Sequence, residues 1–326
     1  MNYTTLGKTG LKVSRLCLGM MSFGASKWRP WVLDPPEGTA VIRHALARGI
    51  NFFDTADMYS NGASEQLLGA TLKGAVTRDD VVIATKVFYP VAGAAEQGGL
   101  SRAHIMRAID DSLRRLQTDH VDLYQIHRFD PHTPIEETLE ALHDVVKAGK
   151  ARHIGASSMF AWQFAKMIYT QRAHGWTEFV TMQNHYNLVY REEEREMNPF
   201  CLDQGMALLP WSPLARGFLA GNRRRGQRDA TLRERHDGYG HSLYYADSDY
   251  EVADRVVEVA QRKAVLPIQV ALAWMLSRPG VAAPIISVTK VEQLDQLLAG
   301  LPIALTQDEV RTVEEPYQPH PVLGIE

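Results

Sequence analysis

Four side chains of types able to move a proton stand at telling points of this sequence: Asp54, Tyr59, Lys86 and His127. Asp54 ends the apolar run 50–53, Lys86 ends the run 81–86, and His127 ends the run 121–127. Tyr59 follows Asp54 in a polar loop. Charged groups at strand ends are rarely buried unless paired, so Asp54 and Lys86 are expected to form an ion pair. Such a pair can be purely structural. Convergence with a phenol and an imidazole in one cleft points to chemistry instead. A phenol has a pKa of about 10, and a nearby ammonium lowers it by favouring the phenolate. Tyr59 beside Lys86 is then fitted to protonate a carbonyl oxygen as hydride arrives, and to take the proton back in the reverse direction. Asp54 would hold Lys86 in place and charged, and a neutral His127 would orient the carbonyl by a hydrogen bond.

These groups meet only if the strands bearing them run in parallel. The spacing predicts a hairpin over 3–13, then strands over 16–19, 51–54, 81–86, 121–127, 153–157, 179–184, 207–211 and 283–286. Helices are expected over 36–48, after Ser64 as N-cap through Leu72, over 101–116, from Pro134 to 148–149, and up to His174. A charged helix is expected from Glu192, with the run 191–196 a solvated helix start. Further helices are expected over 251–277 with a break at Pro267, around 292–298, and over 307–314. Eight β–α units with near-continuous apolar strands imply an α/β fold: a (β/α)8 TIM barrel with an N-terminal β-hairpin and an extra C-terminal helix. Residues 1–326 read as a single domain. A doubly wound dinucleotide fold would carry a Gly-x-Gly-x-x-Gly turn after its first strand, and none occurs. In a barrel all strand C-termini face one mouth, where chemistry is done.

The composition is that of a soluble protein with a large core, 45% hydrophobic and 22% charged. A net charge of −3 provides no field favouring nucleic acid or an anionic membrane. No stretch of about 20 apolar residues is present, which argues against a membrane span. The start lacks the basic and apolar regions of a secretory signal, and Cys17 and Cys201 stand far apart. A reducing, cytoplasmic setting is expected. Twelve histidines occur, but none with metal-ligand spacing, so no metal is expected. Nothing distinguishes a monomer from a homo-oligomer.

The block 49–69, then Lys86, His127, Gly155-Ala156-Ser157-Ser158, Gln183 and Trp211-Ser212-Pro213-Leu214, resembles the aldo-keto reductase superfamily in residues and order. Through Tyr124-Gln125-Ile126-His127-Arg128 and the segment 134–142 it is similar to the bacterial YajO-like reductases. The resemblance spans essentially the whole chain. It implies NAD(P)H-dependent reduction of aldehydes and ketones, with Asp54, Tyr59, Lys86 and His127 as the catalytic set. It implies that Ser157, Ser158 and Gln183 meet the nicotinamide carboxamide, and that Trp211 stacks on the nicotinamide ring. Ser212, Leu214 and Gly217 would follow the pyrophosphate, and Ser287, Thr289, Lys290, Gln293 and Gln296 the adenosine end. Ser287 replaces the family's usual glycine, and Leu297 stands where an asparagine commonly meets adenine.

Lys290 and Thr289, with the loop arginines 223–225, favour NADPH, with NADH possible. The partner is a small carbonyl compound, of the sugar or sugar-phosphate kind for YajO-like enzymes. Trp31, Tyr89 and Arg128 are candidate substrate contacts, the last balanced against an ion pair with Asp130. Two other functions compete: a Schiff-base aldolase using Lys86, and a binding module that senses nucleotide.

Overall fold

An antiparallel hairpin, β1 (Tyr3–Thr5) and β2 (Lys12–Ser14), precedes the main sheet and pairs Tyr3 with Ser14. The computed structural model describes residues 1–91, 98–223, 225–226 and 231–325. After the hairpin, strands and helices alternate: β3 (Cys17–Gly19), α1 (Pro35–Ala47), β4 (Phe52–Asp54), α2 (Ala63–Leu72), β5 (Val82–Val87) and α3 (Arg102–Leu116). Next come β6 (Val121–Ile126), α4 (Ile135–Lys147), β7 (Ala151–Ser157), α5 (Ala161–His174), β8 (Phe179–Gln183), α6 (Met197–Gln204) and β9 (Ala207–Leu208). The expected insertion 215–250 carries two short helices, α7 (Leu232–His236) and α8 (Gly238–Leu243). The chain continues with α9 (Asp247–Lys263), α10 (Pro267–Leu276), β10 (Ile285–Ile286), α11 (Val291–Ala299) and α12 (Gln307–Glu314).

The eight strands from β3 onward are all parallel, in the order β10-β3-β4-β5-β6-β7-β8-β9. Hydrogen bonds from Ala282 N–H to Leu208 O (3.0 Å) and from Ile285 N–H to Pro210 O (2.9 Å) join the two ends of the sheet into a ring. The expected (β/α)8 barrel is what forms. Alternation along each strand decides which layer a side chain fills. Phe52, Val82, Ala84 and Leu123 point into the barrel, where Leu6 and Val13 of the hairpin join them. Phe53, Ile83 and Tyr124 point outward against the helices. Both faces are therefore buried, which is why the strands read as unbroken apolar runs. Each large apolar side chain so buried contributes about 1.5–3 kcal/mol.

The helix ends follow local chemistry. Ser101 caps α3 by accepting from His104 N–H, and Thr306 with Glu309 forms a capping box on α12. The break near Pro267 is confirmed: Ala264 turns left-handed (φ 54°) and Pro267 starts α10. Two expectations fail.

Ser64 is not the N-cap of α2. That position is Gly62 (φ 88°), where a Cβ would lie 2.6 Å from Arg115 Cδ. Ser64 Oγ lies inside the helix, donates to Met20 O (2.8 Å) and sits 3.1 Å from Thr55 Oγ1. Nor is 191–196 a solvated helix start. Residues Glu192–Glu194 form a single 3-10 turn, and Glu196 (φ −139°) breaks from helical geometry before α6. Pro199 has no N–H for an earlier carbonyl, so it fits only the first turn of a helix restarting at Met197. The carboxylates are drawn inward. Glu192 Oε1 accepts from Tyr317 OH (2.5 Å) and His320 N–H (2.9 Å), Glu194 pairs with Arg191 (2.8 Å), and Glu193 is buried. Among the described residues no helix is long and apolar enough to cross a membrane.

Candidate active site

Parallel register brings the strand ends to one level: Asp54 pairs with Ala84, Lys86 with Gln125, and Ser157 with Gln183. Their side chains meet at the C-terminal mouth. Lys86 Nζ donates to Asp54 Oδ1 (2.5 Å), to Thr55 O (2.8 Å) and to Tyr59 Oη (3.2 Å). Burial by itself would depress Lys86, but the charges of Asp54 and Tyr59 and their hydrogen bonds outweigh it and raise the ammonium above its ordinary value. Asp54 Oδ2 accepts from Gln125 Nε2 (3.0 Å) and Gln183 Nε2 (2.8 Å), so the carboxylate is fully engaged.

His127 stands edge-on to Tyr59, with ring centres 5.9 Å apart. Burial, then the charges of Lys86 and Arg128, push its imidazole well below the ordinary histidine range, and it is neutral. Its Nδ1 is buried without a partner. A proton there would lack an acceptor, so Nε2–H is the favoured tautomer and the donor left to the cavity.

Asp54, Tyr59 and His127 open onto one cavity of about 1070 Å³, and Lys86 lies behind them, fully buried. That volume exceeds a drug-sized pocket and has room for a dinucleotide together with a small substrate. Ser157, Gln183, Trp211, Ser212, Leu214, Gly217, Ser287, Thr289, Lys290, Gln293 and Gln296 all line it, as do Trp31, Tyr89 and Arg128. Ser158 is not among the lining residues. Its Oγ accepts from Trp211 Nε1–H (2.9 Å) and so orients the indole. Trp211 is further pinned by His185, stacked in parallel at 4.1 Å, with Tyr190 on the imidazole's other side at 4.1 Å.

Arg128 lines the cavity beside Tyr89. Its Nη1 donates to the carbonyl of its own neighbour His127 (2.6 Å), and its guanidinium lies 5.9 Å from the Tyr89 ring centre. Asp130 accepts from Leu100 N–H, His132 N–H and Thr133 OH. The loop arginines also differ from expectation. Arg223 pairs with Glu234 (3.2 Å), Arg225 lies among Asp247, Glu251 and Asp254, and Arg224 falls outside the described residues.

Sequence reasoning missed several residues here. Trp28, Arg29, Arg216, Arg233 and Tyr239 line the cavity from loops of irregular shape. Asp57 is buried with both carboxylate oxygens unpartnered, and its N–H donates to Lys86 O (3.2 Å). Burial, reinforced by the charge of Glu65, raises its carboxyl well above the usual carboxylate range. No local pattern marks it apart from an ordinary loop aspartate.

An eight-stranded parallel barrel with a buried Asp–Lys–Tyr chain and a neutral histidine at its mouth defines a class of barrel proteins equipped for proton transfer at a bound ligand. A profile of the Aldo/keto reductase family matches residues 15–318, and this chain belongs to that family. It is 44% identical to a versiconal hemiacetal acetate reductase of Aspergillus parasiticus, over 98% of both chains. It is 41% identical to a putative aryl-alcohol dehydrogenase of Schizosaccharomyces pombe, over 99% of this chain and 97% of the other. A putative aryl-alcohol dehydrogenase of Saccharomyces cerevisiae is 38% identical over 96% of each chain. Family and relatives together support an oxidoreductase acting on carbonyl compounds, in a family that generally uses nicotinamide cofactors.

Proposed function

We propose that this protein reduces aryl aldehydes and ketones to alcohols with NADPH, Tyr59 serving as proton donor. The observation that carries the reading is the position of Lys86 Nζ, 2.5 Å from Asp54 and 3.2 Å from the Tyr59 hydroxyl, behind a cavity that Tyr59 itself lines. The ammonium stabilises the phenolate left after proton donation, and Asp54 fixes the ammonium in place. Neutral His127 offers Nε2–H to the carbonyl oxygen and sets its angle to Tyr59. NADPH supplies the hydride.

The residues present suit a nicotinamide dinucleotide. Gln183 gives its amide N–H groups to Asp54 and Gln125 and keeps its carbonyl oxygen, while Ser157 Oγ donates to Gln183 O (2.7 Å) and keeps its lone pairs. Both acceptors suit a carboxamide. Ser158, tied to Trp211, acts through the indole. The backbone at Ser212 (φ 53°) and Gly217 (φ 91°) turns left-handed in the loop expected to follow the pyrophosphate. Ser287 Oγ is buried without a partner, which leaves it for the ligand. Thr289 and Lys290 precede α11, where a helix N-terminus favours phosphate. Since the described arginines 223 and 225 face carboxylates, the preference for NADPH rests on Lys290 and Thr289.

The cavity wall of Trp28, Trp31, Tyr89 and Tyr239 favours a planar aromatic carbonyl over the sugar or sugar-phosphate of the YajO-like reading. The names of the yeast relatives point the same way. Schiff-base chemistry at Lys86 needs an uncharged amine reachable from the cavity, whereas this one is buried, protonated and triply hydrogen-bonded. The test is Tyr59→Phe, assayed on a panel of benzaldehydes by NADPH oxidation and by cofactor titration. Turnover is expected to fall roughly 10²–10⁴-fold with cofactor affinity unchanged. Retention of most of the activity refutes the assignment of the acid. Failure of the wild type to oxidise NADPH with any aldehyde favours the nucleotide-sensing reading.

A further inference from the structure

The loop between β3 and α1 places a second recognition element over the proton-donating site. Arg29 lies with its guanidinium carbon 4.3 Å from the Trp28 ring centre and 5.4 Å from that of Trp31, and all three residues line the cavity. Among the described residues the Arg29 guanidinium has no hydrogen bond and no ion pair, while its backbone carbonyl accepts from Val32 N–H (3.0 Å). The neighbouring cations have carboxylate partners: Arg216 and Arg233 share Asp237 (2.6 and 3.1 Å), and Arg223 holds Glu234. Trp31 is 6% exposed, and its Nε1–H is buried without an acceptor. The Arg29 guanidinium therefore lines the cavity with no side-chain partner of its own. A charged donor held at the cavity wall without a protein acceptor favours a ligand that accepts from it.

We infer that Arg29 and Trp31 form a subsite for an anionic oxygen substituent, a carboxylate above all, on the aromatic carbonyl substrate; this deepens the aryl-carbonyl reading and rests on it. The indoles hold the guanidinium by cation–π contact and leave its in-plane N–H groups for a carboxylate, the geometry at which arginine excels. Burial, followed by repulsion from Arg216, holds Arg29 below the usual arginine range, and Asp237 and Tyr59 only partly offset this. An incoming anion relieves the same repulsion.

The test compares formylbenzoates with their methyl esters, which keep the ring and carbonyl but lose the charge. With the full chain and NADPH, the wild type should prefer the acid. Arg29→Met should lower kcat/KM on the acid roughly ten- to a hundredfold, with the ester and NADPH affinity little changed. Arg29→Lys should recover part of the loss, since it restores charge without the fork. Equal treatment of acid and ester by the wild type overturns the subsite. So does a loss of NADPH affinity in Arg29→Met, which assigns the arginine to the cofactor. Benzoate binding to the protein with NADP+, read by tryptophan fluorescence, tests the subsite without turnover. Binding that depends on Arg29 supports it even if no aldehyde is reduced, an outcome that would defeat only the reductase reading. Absence of benzoate binding together with active ester reduction defeats only the subsite.

Discussion

Lys86→Met separates what the ammonium does for the fold from what it does for chemistry. Methionine fills most of the buried volume but removes the charge 2.5 Å from Asp54 and 3.2 Å from Tyr59. Asp54 keeps Gln125 and Gln183 as donors but becomes an uncompensated buried carboxylate, an imbalance worth about 3–5 kcal/mol of stability. For chemistry, charges about 3.2 Å apart attract by about 5 kcal/mol at an effective dielectric of about 20. Only part of it reaches a transition state in which the proton is partly transferred, so the hydride-transfer step should slow by roughly 10²–10⁴-fold. The double variant Asp54→Asn with Lys86→Met is neutral again. It should recover much of the lost stability and none of the rate. Single-turnover stopped-flow of NADPH oxidation gives the rate, and urea unfolding gives the stability. A folded Lys86→Met protein with near wild-type hydride transfer refutes the role given to Lys86. So does a double variant that regains rate along with stability.

Lys290→Ala should weaken NADPH roughly tenfold and leave NADH unchanged, as fluorescence titration of both cofactors would reveal; an equal effect on the two removes Lys290 from the 2′-phosphate. Glu193 offers a pH test, because burial, reinforced by Glu192 and opposed by Asn184, pushes its carboxyl up to about 7 from an ordinary 4.5. Between those values the folded state binds the extra proton, so this group's contribution to stability is intact below about 4.5 and is lost as pH rises through about 7. The loss amounts to about 3 kcal/mol, and Glu193→Gln should remove it, so that urea midpoints of variant and wild type diverge from pH 5 to pH 8. Parallel midpoints across that range contradict the assignment.

Much of the barrel was legible because each strand is buried on both faces and each helix on one, which writes a local pattern into the chain. The run 121–127 reads as a strand because Leu123 fills the barrel while Tyr124 meets the helices. Thr306 and Glu309 announce α12 because a capping box closes within one turn. The ends of those runs also located Asp54, Lys86 and His127, since parallel strands must deliver their C-terminal residues to one mouth.

Other features depended on partners distant in sequence. Ser64 has the type and place of an N-cap, yet its hydroxyl goes to Met20 O, a contact created when β3 and β4 lie side by side. Glu192 to Glu194 have the composition of a solvated run, but Tyr317, His320, Asn184 and Arg191 draw them inward. The loop after β3 shows only two tryptophans and an arginine in sequence. Its fit over the cavity depends on Arg233, in the insertion after β9, approaching Trp31 to 5.9 Å. The sequence alone thus determined the β–α order, the barrel and the four residues at its mouth, because spacing along the chain dictates backbone state and strand direction. Only tertiary structure decided which donors are satisfied and which remain open to a ligand, because that depends on distances across a closed ring, which no local spacing encodes.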